Sequence, residues 1–214
     1  MLEGCRTALD VGAGFGALAL PLARRLDAVT AMEPSGPMAA ALRRAAVRAA
    51  ARNLRVIEAA WGRAPVARHD LVLCAHVGPL LGRGSAFLSE VQAVATRAVL
   101  LVRDAPGGDD KFFFRELYPV LLGRAYGRSS DERDTVEAVR ALGVEPAVVA
   151  IEYASDQPFA SLEDACDFWM TYMGLEGAEP RAFLRAFLEP RLQRQGEEWI
   201  APFRKRAHVI AWRV

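Results

Sequence analysis

The chain has 214 residues, 52% hydrophobic and 25% charged, which is enough apolar material to bury one continuous core. Its 27 Lys and Arg nearly cancel 26 Asp and Glu, for a formal charge of +1, so no long-range field draws a polyanion and a nucleic-acid partner is not indicated. Cys5, Cys74 and Cys166 stand far apart without metal-ligand spacing, and no run approaches the roughly 20 apolar residues of a membrane span, so neither structural zinc nor membrane insertion is expected; the setting expected is reduced and cytoplasmic.

From Arg6, RTALDVG reads as a short buried strand entering a glycine-rich turn, and GALALPLARRL as the helix that follows. AVTAME is a second strand, PSGPMAAALRRAAVRAAAR a helix with Ser35 as its N-cap, and LRVIEAA a third strand. HDLVLCAHV from His69 gives the fourth strand, FLSEVQAVA a helix, and AVLLVRD a fifth strand ending at Asp104. A PGGDD turn and the aromatic stretch FFFRELYPVLLGRAYG then break the rhythm, and Pro119, Gly123 and Gly127 weaken any single long helix there. DERDTVEAVRALG is a helix starting at Ser130 or Asp131 and closed by Gly143, and PAVVAIEYA is the sixth strand. A second interruption, from Phe159 to about Phe203, holds two helices around DACDFWMTYMG and RAFLRAFLEPRLQRQG, before AHVIAWRV closes the chain as a last strand.

The predicted fold is α/β: a Rossmann-like, seven-stranded, mostly parallel sheet with an antiparallel last strand and helices on both faces. One domain spans 1–214, with helical lid or substrate segments at about 105–128 and 156–203. The aromatics Phe112, Phe113, Phe114, Tyr118, Trp169 and Tyr172, with Met173, lie in those segments and suggest an apolar wall for an organic substrate.

The strongest chemical signal is Asp10-Val11-Gly12-Ala13-Gly14-Phe15-Gly16 at the strand-to-helix turn. Glycines there permit positive φ and close approach by a ligand, and the following helix presents unpaired amides. Gly12, Gly14 and Ala17 also satisfy the dinucleotide pattern GxGxxG/A, with Glu33 available to ribose hydroxyls. Asp10 favours a ligand without phosphate, because a carboxylate two residues before the first glycine would repel a pyrophosphate.

DVGAGFG resembles motif I of class I S-adenosylmethionine (SAM) dependent methyltransferases, and MEPSGPM is similar to the motif after their second strand. HDLVLCAHV resembles the fourth-strand motif of their small-molecule, type 11 branch. The resemblance covers roughly the first half of the chain. It implies that Asp10, Gly12, Ala13, Gly14 and Gly16 hold the methionine moiety of S-adenosyl-L-methionine, that Glu33, followed by Pro34, accepts the ribose hydroxyls, and that Cys74 lies beside the cofactor. Ala60 and Trp61 stand where the family often has an acid on the adenine; here Trp61 either walls the adenine or packs under the sheet edge. His76 ends the fourth strand at the edge facing the methyl group, where it orients substrate or accepts a proton, or else is merely hydrogen-bonded at the sheet edge; Arg103 is the candidate anchor for an anionic substrate group, or else forms a surface ion pair with its neighbour Asp104. His69 and His208 are read as structural, and the Arg44, Arg48, Arg52 stripe as a solvated helix face.

The function implied is methyl transfer to a small organic acceptor, with no metal. A SAM-binding partner or sensor without catalysis, and an NAD-dependent oxidoreductase, are the alternatives; the last lacks a Tyr-xxx-Lys pair. Such methyltransferases usually carry helices ahead of the first strand, where only a few residues stand here, so either the start lies further upstream or the cover lies downstream. The oligomeric state, a homodimer included, is left open.

Overall fold

The computed structural model describes residues 3–105, 108–126 and 132–214; the turn residues Pro106 and Gly107, Gly127, and the Ser130 or Asp131 helix start fall outside them. Seven strands make the main sheet: β1 (Thr7–Val11), β2 (Ala28–Met32), β3 (Leu54–Ile57), β4 (His69–Ala75), β5 (Ala95–Asp104), β6 (Ala147–Ala154) and, last in the chain, β10 (Arg204–Arg213). Their spatial order is β3-β2-β1-β4-β5-β10-β6. The pairs among β3, β2, β1, β4 and β5 are parallel, while β10 runs antiparallel to β5, with His208 opposite Arg103. The expected Rossmann-like sheet with an antiparallel last strand is therefore present, and strand order reverses beside β1, the place where open α/β sheets form a ligand crevice.

Residue parity explains why the inner strands read as unbroken apolar runs. Leu9, Val11, Val72, Cys74, Val99 and Leu101 join one core with Phe87, Leu88, Val91 and Trp212. Ala8, Leu71, Leu73 and Ala98 join the other with Ala19, Leu22, Ala31 and Leu42. A parallel sheet covered by helices on both faces has no wet side on which polar residues could alternate.

The helices around the sheet are α1 (Ala19–Ala23), α2 (Gly36–Arg48), α3 (Gly78–Leu81), α4 (Ser85–Val94) and α6 (Glu132–Arg140). The second is shorter than its alanine-rich sequence suggests, stopping where Ala50 takes a positive φ of 51°. Ser35 holds the N-cap position, but its side chain makes no cap bond. The Arg44, Arg48 and Arg52 stripe is exposed, as expected of a solvated face.

By its contacts the chain divides into two units, Met1–Ala105 with Ser129–Ile151 and Ala207–Val214, and Pro106–Arg128 with Glu152–Arg206. The second gathers both interruptions and contains α5 (Phe114–Leu122), α7 (Leu162–Met173), α8 (Ala178–Leu188) and a short 3-10 turn, Lys111–Phe113. It also holds a small antiparallel sheet that the sequence did not announce: β7 (Gln157–Phe159), β8 (Gln193–Gln195) and β9 (Glu198–Ala201), in the order β7-β9-β8. Ser161 caps α7 by accepting the Asp164 amide at 3.0 Å.

Within this unit Phe114, Trp169 and Met173 are core, at 2%, 0% and 7% exposure, and of the aromatics singled out from the sequence only Tyr172, 57% exposed, stands well into solvent. Phe112 and Phe113 both adopt left-handed backbone, φ 65° and 55°, and the Trp169 indole donates to the Phe112 carbonyl at 2.7 Å. Among the described residues, no helix is long and apolar enough to cross a membrane.

Candidate functional site

The first unit builds its site at the carboxyl ends of β1, β2, β4 and β5. After β1 the chain turns through Gly12, Gly14 and Gly16 at φ of 74°, 55° and 88°, a region that side-chain-bearing residues rarely adopt. The amides of Gly12 and Ala13 both donate to the Met32 carbonyl, at 2.8 and 3.0 Å, which clamps the turn to the end of β2. The three glycines have different steric surroundings. A Cβ on Gly12 would stand 2.4 Å from Val77 Cγ1, and one on Gly16 would stand 2.2 Å from Leu42 Cδ1, whereas one on Gly14 would meet nothing within 4 Å. Gly12 and Gly16 thus serve packing, and Gly14 keeps open the space a ligand would fill.

Two buried carboxylates flank this turn. Glu33, 5% exposed, accepts the Gly14 amide on Oε2 and the Ser35 amide on Oε1, both at 2.8 Å. Each oxygen keeps a further lone pair with which it could take a hydroxyl. Asp10, 2% exposed, has its carboxyl pushed up to about 7, first by burial and then by the nearby charge of Glu33, against the pull of the Ala19 amide. A carboxyl in that condition gains from any cation brought beside it. Cys74 is fully buried next to this pair, and burial and then Asp10 hold its thiol well above the ordinary range, so it fills space as a neutral group.

The other residues singled out from the sequence are placed as follows. Pro34 and Ala60 are exposed loop residues. Trp61 turns toward α4, donating to Glu90 Oε2 at 2.6 Å and meeting Phe87 edge-on at 5.9 Å between centroids. His76 follows β4 with Nδ1 3.1 Å from Asp104 Oδ1 at the end of β5. Arg103, one residue earlier on β5, points the opposite way: it is 5% exposed and its guanidinium bonds the Thr135 hydroxyl on α6.

Sequence reasoning missed Asp104 as the partner of His76, since it set Asp104 beside Arg103 as a pair. It also ran Glu58 into the third strand. The strand ends at Ile57, leaving Glu58 at the carboxyl edge with Arg43 2.7 Å away and Gly36 alongside. Phe15, 62% exposed at the tip of the glycine turn, was likewise overlooked, although a large apolar residue amid glycines was visible in the motif.

Residues 8–97 match a family model described as a methyltransferase domain. No curated protein matches the chain. Among solved structures, the chain is similar to BH2331 of Bacillus halodurans C-125, assigned as a methyltransferase: TM-score 0.61 at 18% identity, covering 98% of this chain and 93% of that one. It is also similar to the YcgJ protein of Bacillus subtilis, with a TM-score of 0.59 at 19% identity over 98% and 93% of the two chains. A third is the magnesium protoporphyrin IX methyltransferase of Synechocystis PCC 6803 with bound S-adenosylhomocysteine, with a TM-score of 0.54 at 16% identity over 95% and 72%. Over residues 8–97 the chain is similar to a methyltransferase domain, and along its length it shares the fold of these solved structures.

Proposed function

We propose that this protein binds S-adenosyl-L-methionine and transfers its methyl group to a small organic acceptor. The observation that carries the reading is the pair of buried acids on either side of the open Gly14 position. Two carboxylates there oppose a pyrophosphate and suit a ligand with an ammonium, a sulfonium and two ribose hydroxyls, which disfavours a nicotinamide dinucleotide. The Synechocystis neighbour, solved with bound S-adenosylhomocysteine, supports the same ligand.

Asp10 would take the ammonium, the Gly12 to Gly16 turn would let the methionine portion lie against the backbone, and Glu33 would receive the ribose hydroxyls. When bound, the cofactor supplies a methyl group on a positively charged sulfur. The protein's part is to hold the acceptor in line with that methyl, to keep water away, and to take the acceptor's proton where it has one. His76 stands at the right edge for the last task. The segments 105–128 and 156–203 are proposed as the acceptor-binding part, on the strength of their aromatic content.

Isothermal titration with SAM, S-adenosylhomocysteine and NAD tests the reading. Micromolar binding of the first two without NAD is expected; NAD binding without SAM would overturn it. Release of S-adenosylhomocysteine in the presence of acceptor then separates an enzyme from a binding protein.

A further inference from the structure

His76 and Asp104 close two neighbouring strands at one edge of the sheet. His76 Nδ1 lies 3.1 Å from Asp104 Oδ1, and the His76 amide donates to the Val102 carbonyl at 2.7 Å, so both its backbone and its ring are tied to the end of β5. Its φ is +56°, left-handed backbone that histidine visits more readily than most residues but that tends to occur where a side chain must be aimed. The two side chains are 31% and 59% exposed, so the contact itself adds little to stability. An arrangement of that kind orients a ring more than it holds a fold.

We propose that Asp104 is a positioning residue that makes His76 the base for an acceptor arriving neutral, with a proton on its nucleophilic oxygen. This rests on the methyl-transfer reading above. A carboxylate at Nδ1 stabilises the Nδ1–H tautomer and so puts the basic lone pair on Nε2. As the acceptor oxygen bonds the methyl carbon, its proton passes to Nε2. The carbon–sulfur bond breaks with its electron pair kept by sulfur, which leaves as a neutral thioether, and Asp104 balances the imidazolium formed.

Charge selects the same acceptor. Asp10, Glu33 and Asp104 all stand at this edge, whereas Arg103, the cation expected from sequence to anchor an anion, is buried on Thr135. A carboxylate acceptor would face like charges and would need no base; a hydroxyl of phenolic type fits both the acids and the imidazole.

The test uses the whole chain saturated with S-adenosylhomocysteine and reads the histidine ring nitrogens by 15N NMR, with His76→Gln to assign the signal among three histidines. The neutral His76 ring should be the Nδ1–H tautomer in the native protein, mostly Nε2–H in Asp104→Asn, and Nδ1–H again in Asp104→Glu. With labelled SAM at pH 7.5, phenol, which is protonated there, should be methylated, and Asp104→Asn should lower kcat at least tenfold with KM and SAM affinity within about twofold. Benzoate, ionised at that pH, should not be methylated. A native Nε2–H tautomer, a tautomer unmoved in Asp104→Asn, or benzoate preferred over phenol would overturn the proposal. Failure of the native protein to bind SAM would register separately, as loss of the ligand on which the methyl-transfer reading depends.

Discussion

Oε2 of Glu33 accepts the Gly14 amide at 2.8 Å, so the acid that ends the second strand holds the turn that ends the first. The residue expected to receive the ribose is thus also a structural strut, and the two duties can be separated by measurement. In Glu33→Gln the amide nitrogen must face a backbone N–H, leaving a buried donor unpaired. We expect a loss of about 1–3 kcal/mol in urea unfolding of the ligand-free protein. SAM should weaken by a further ~1.5–3 kcal/mol in calorimetry, and its 2′,3′-dideoxy analogue by much less. Equal losses for both ligands would mean that Glu33 serves only the turn.

The glycines of the turn should fail differently. Gly14→Val places its side chain in open space and pays only for left-handed backbone, roughly 1–2 kcal/mol, so the protein should fold and lose SAM binding. Gly16→Ala drives a methyl into Leu42 and Leu20 and should lower the thermal midpoint more than Gly14→Val does. A folded Gly14→Val protein with native SAM affinity would remove the cofactor assignment.

Asp10 is expected to make SAM binding depend on pH. Its carboxyl is raised to about 7 in the folded protein, so the folded state holds a proton that the unfolded state has already released. This group's stabilising contribution is complete below about pH 4, near the unfolded value, and is lost as pH rises through about 7. A bound ammonium reverses the preference by stabilising the ionised form. SAM binding near pH 6 should therefore release up to one proton, read from calorimetry in buffers of different ionisation enthalpy, and affinity should fall on acidification below about 7. Asp10→Asn should bind weakly at every pH with no proton release; unchanged release would place the proton elsewhere.

His69 is expected to be an internal weak point. It is 7% exposed, and neither ring nitrogen has a hydrogen-bond partner. Burial holds its imidazole below the ordinary value, with Asp70 opposing, so the folded protein resists the proton that the unfolded chain accepts. Stability from this group is present above about pH 6.5, the unfolded value, and is lost as pH falls from there through the lower folded value. His69→Leu should raise stability by about 1–2 kcal/mol, and more at pH 5.5 than at pH 8, by urea titration. A destabilised variant would show that the imidazole is satisfied in solution.

How much of this could be read from sequence depended on whether the signal was local. Asp10, the glycine turn and Glu33 follow one another across a strand, a turn and a second strand, so the order of residue types was enough. The sheet followed from apolar runs of buried strands. The small sheet of the second unit did not, because Gln157–Phe159, Gln193–Gln195 and Glu198–Ala201 are too short to show a period. Arg103 and Asp104 were read as one pair at the strand end; as neighbours on a strand they face opposite ways, and only the position of α6 decides which of the two is buried and which meets His76. The contacts of Trp61 were out of reach for the same reason: its partners Phe87 and Glu90 lie almost thirty residues further along.

The contact between Gly12 and Val77 has a consequence for how this protein can change. Val77 occupies the room where a side chain at position 12 would be, and it is the chain neighbour of His76. The turn proposed for the donor and the imidazole proposed for the acceptor therefore share one steric joint. A side chain at 12 would bear the strain of left-handed backbone and would also need room made at 77, and any such exchange carries His76 with it. Mutational paths that retune one substrate should be constrained by the other, and compensating pairs recovered from a random library ought to link 12 with 77 before either links with its neighbours in sequence.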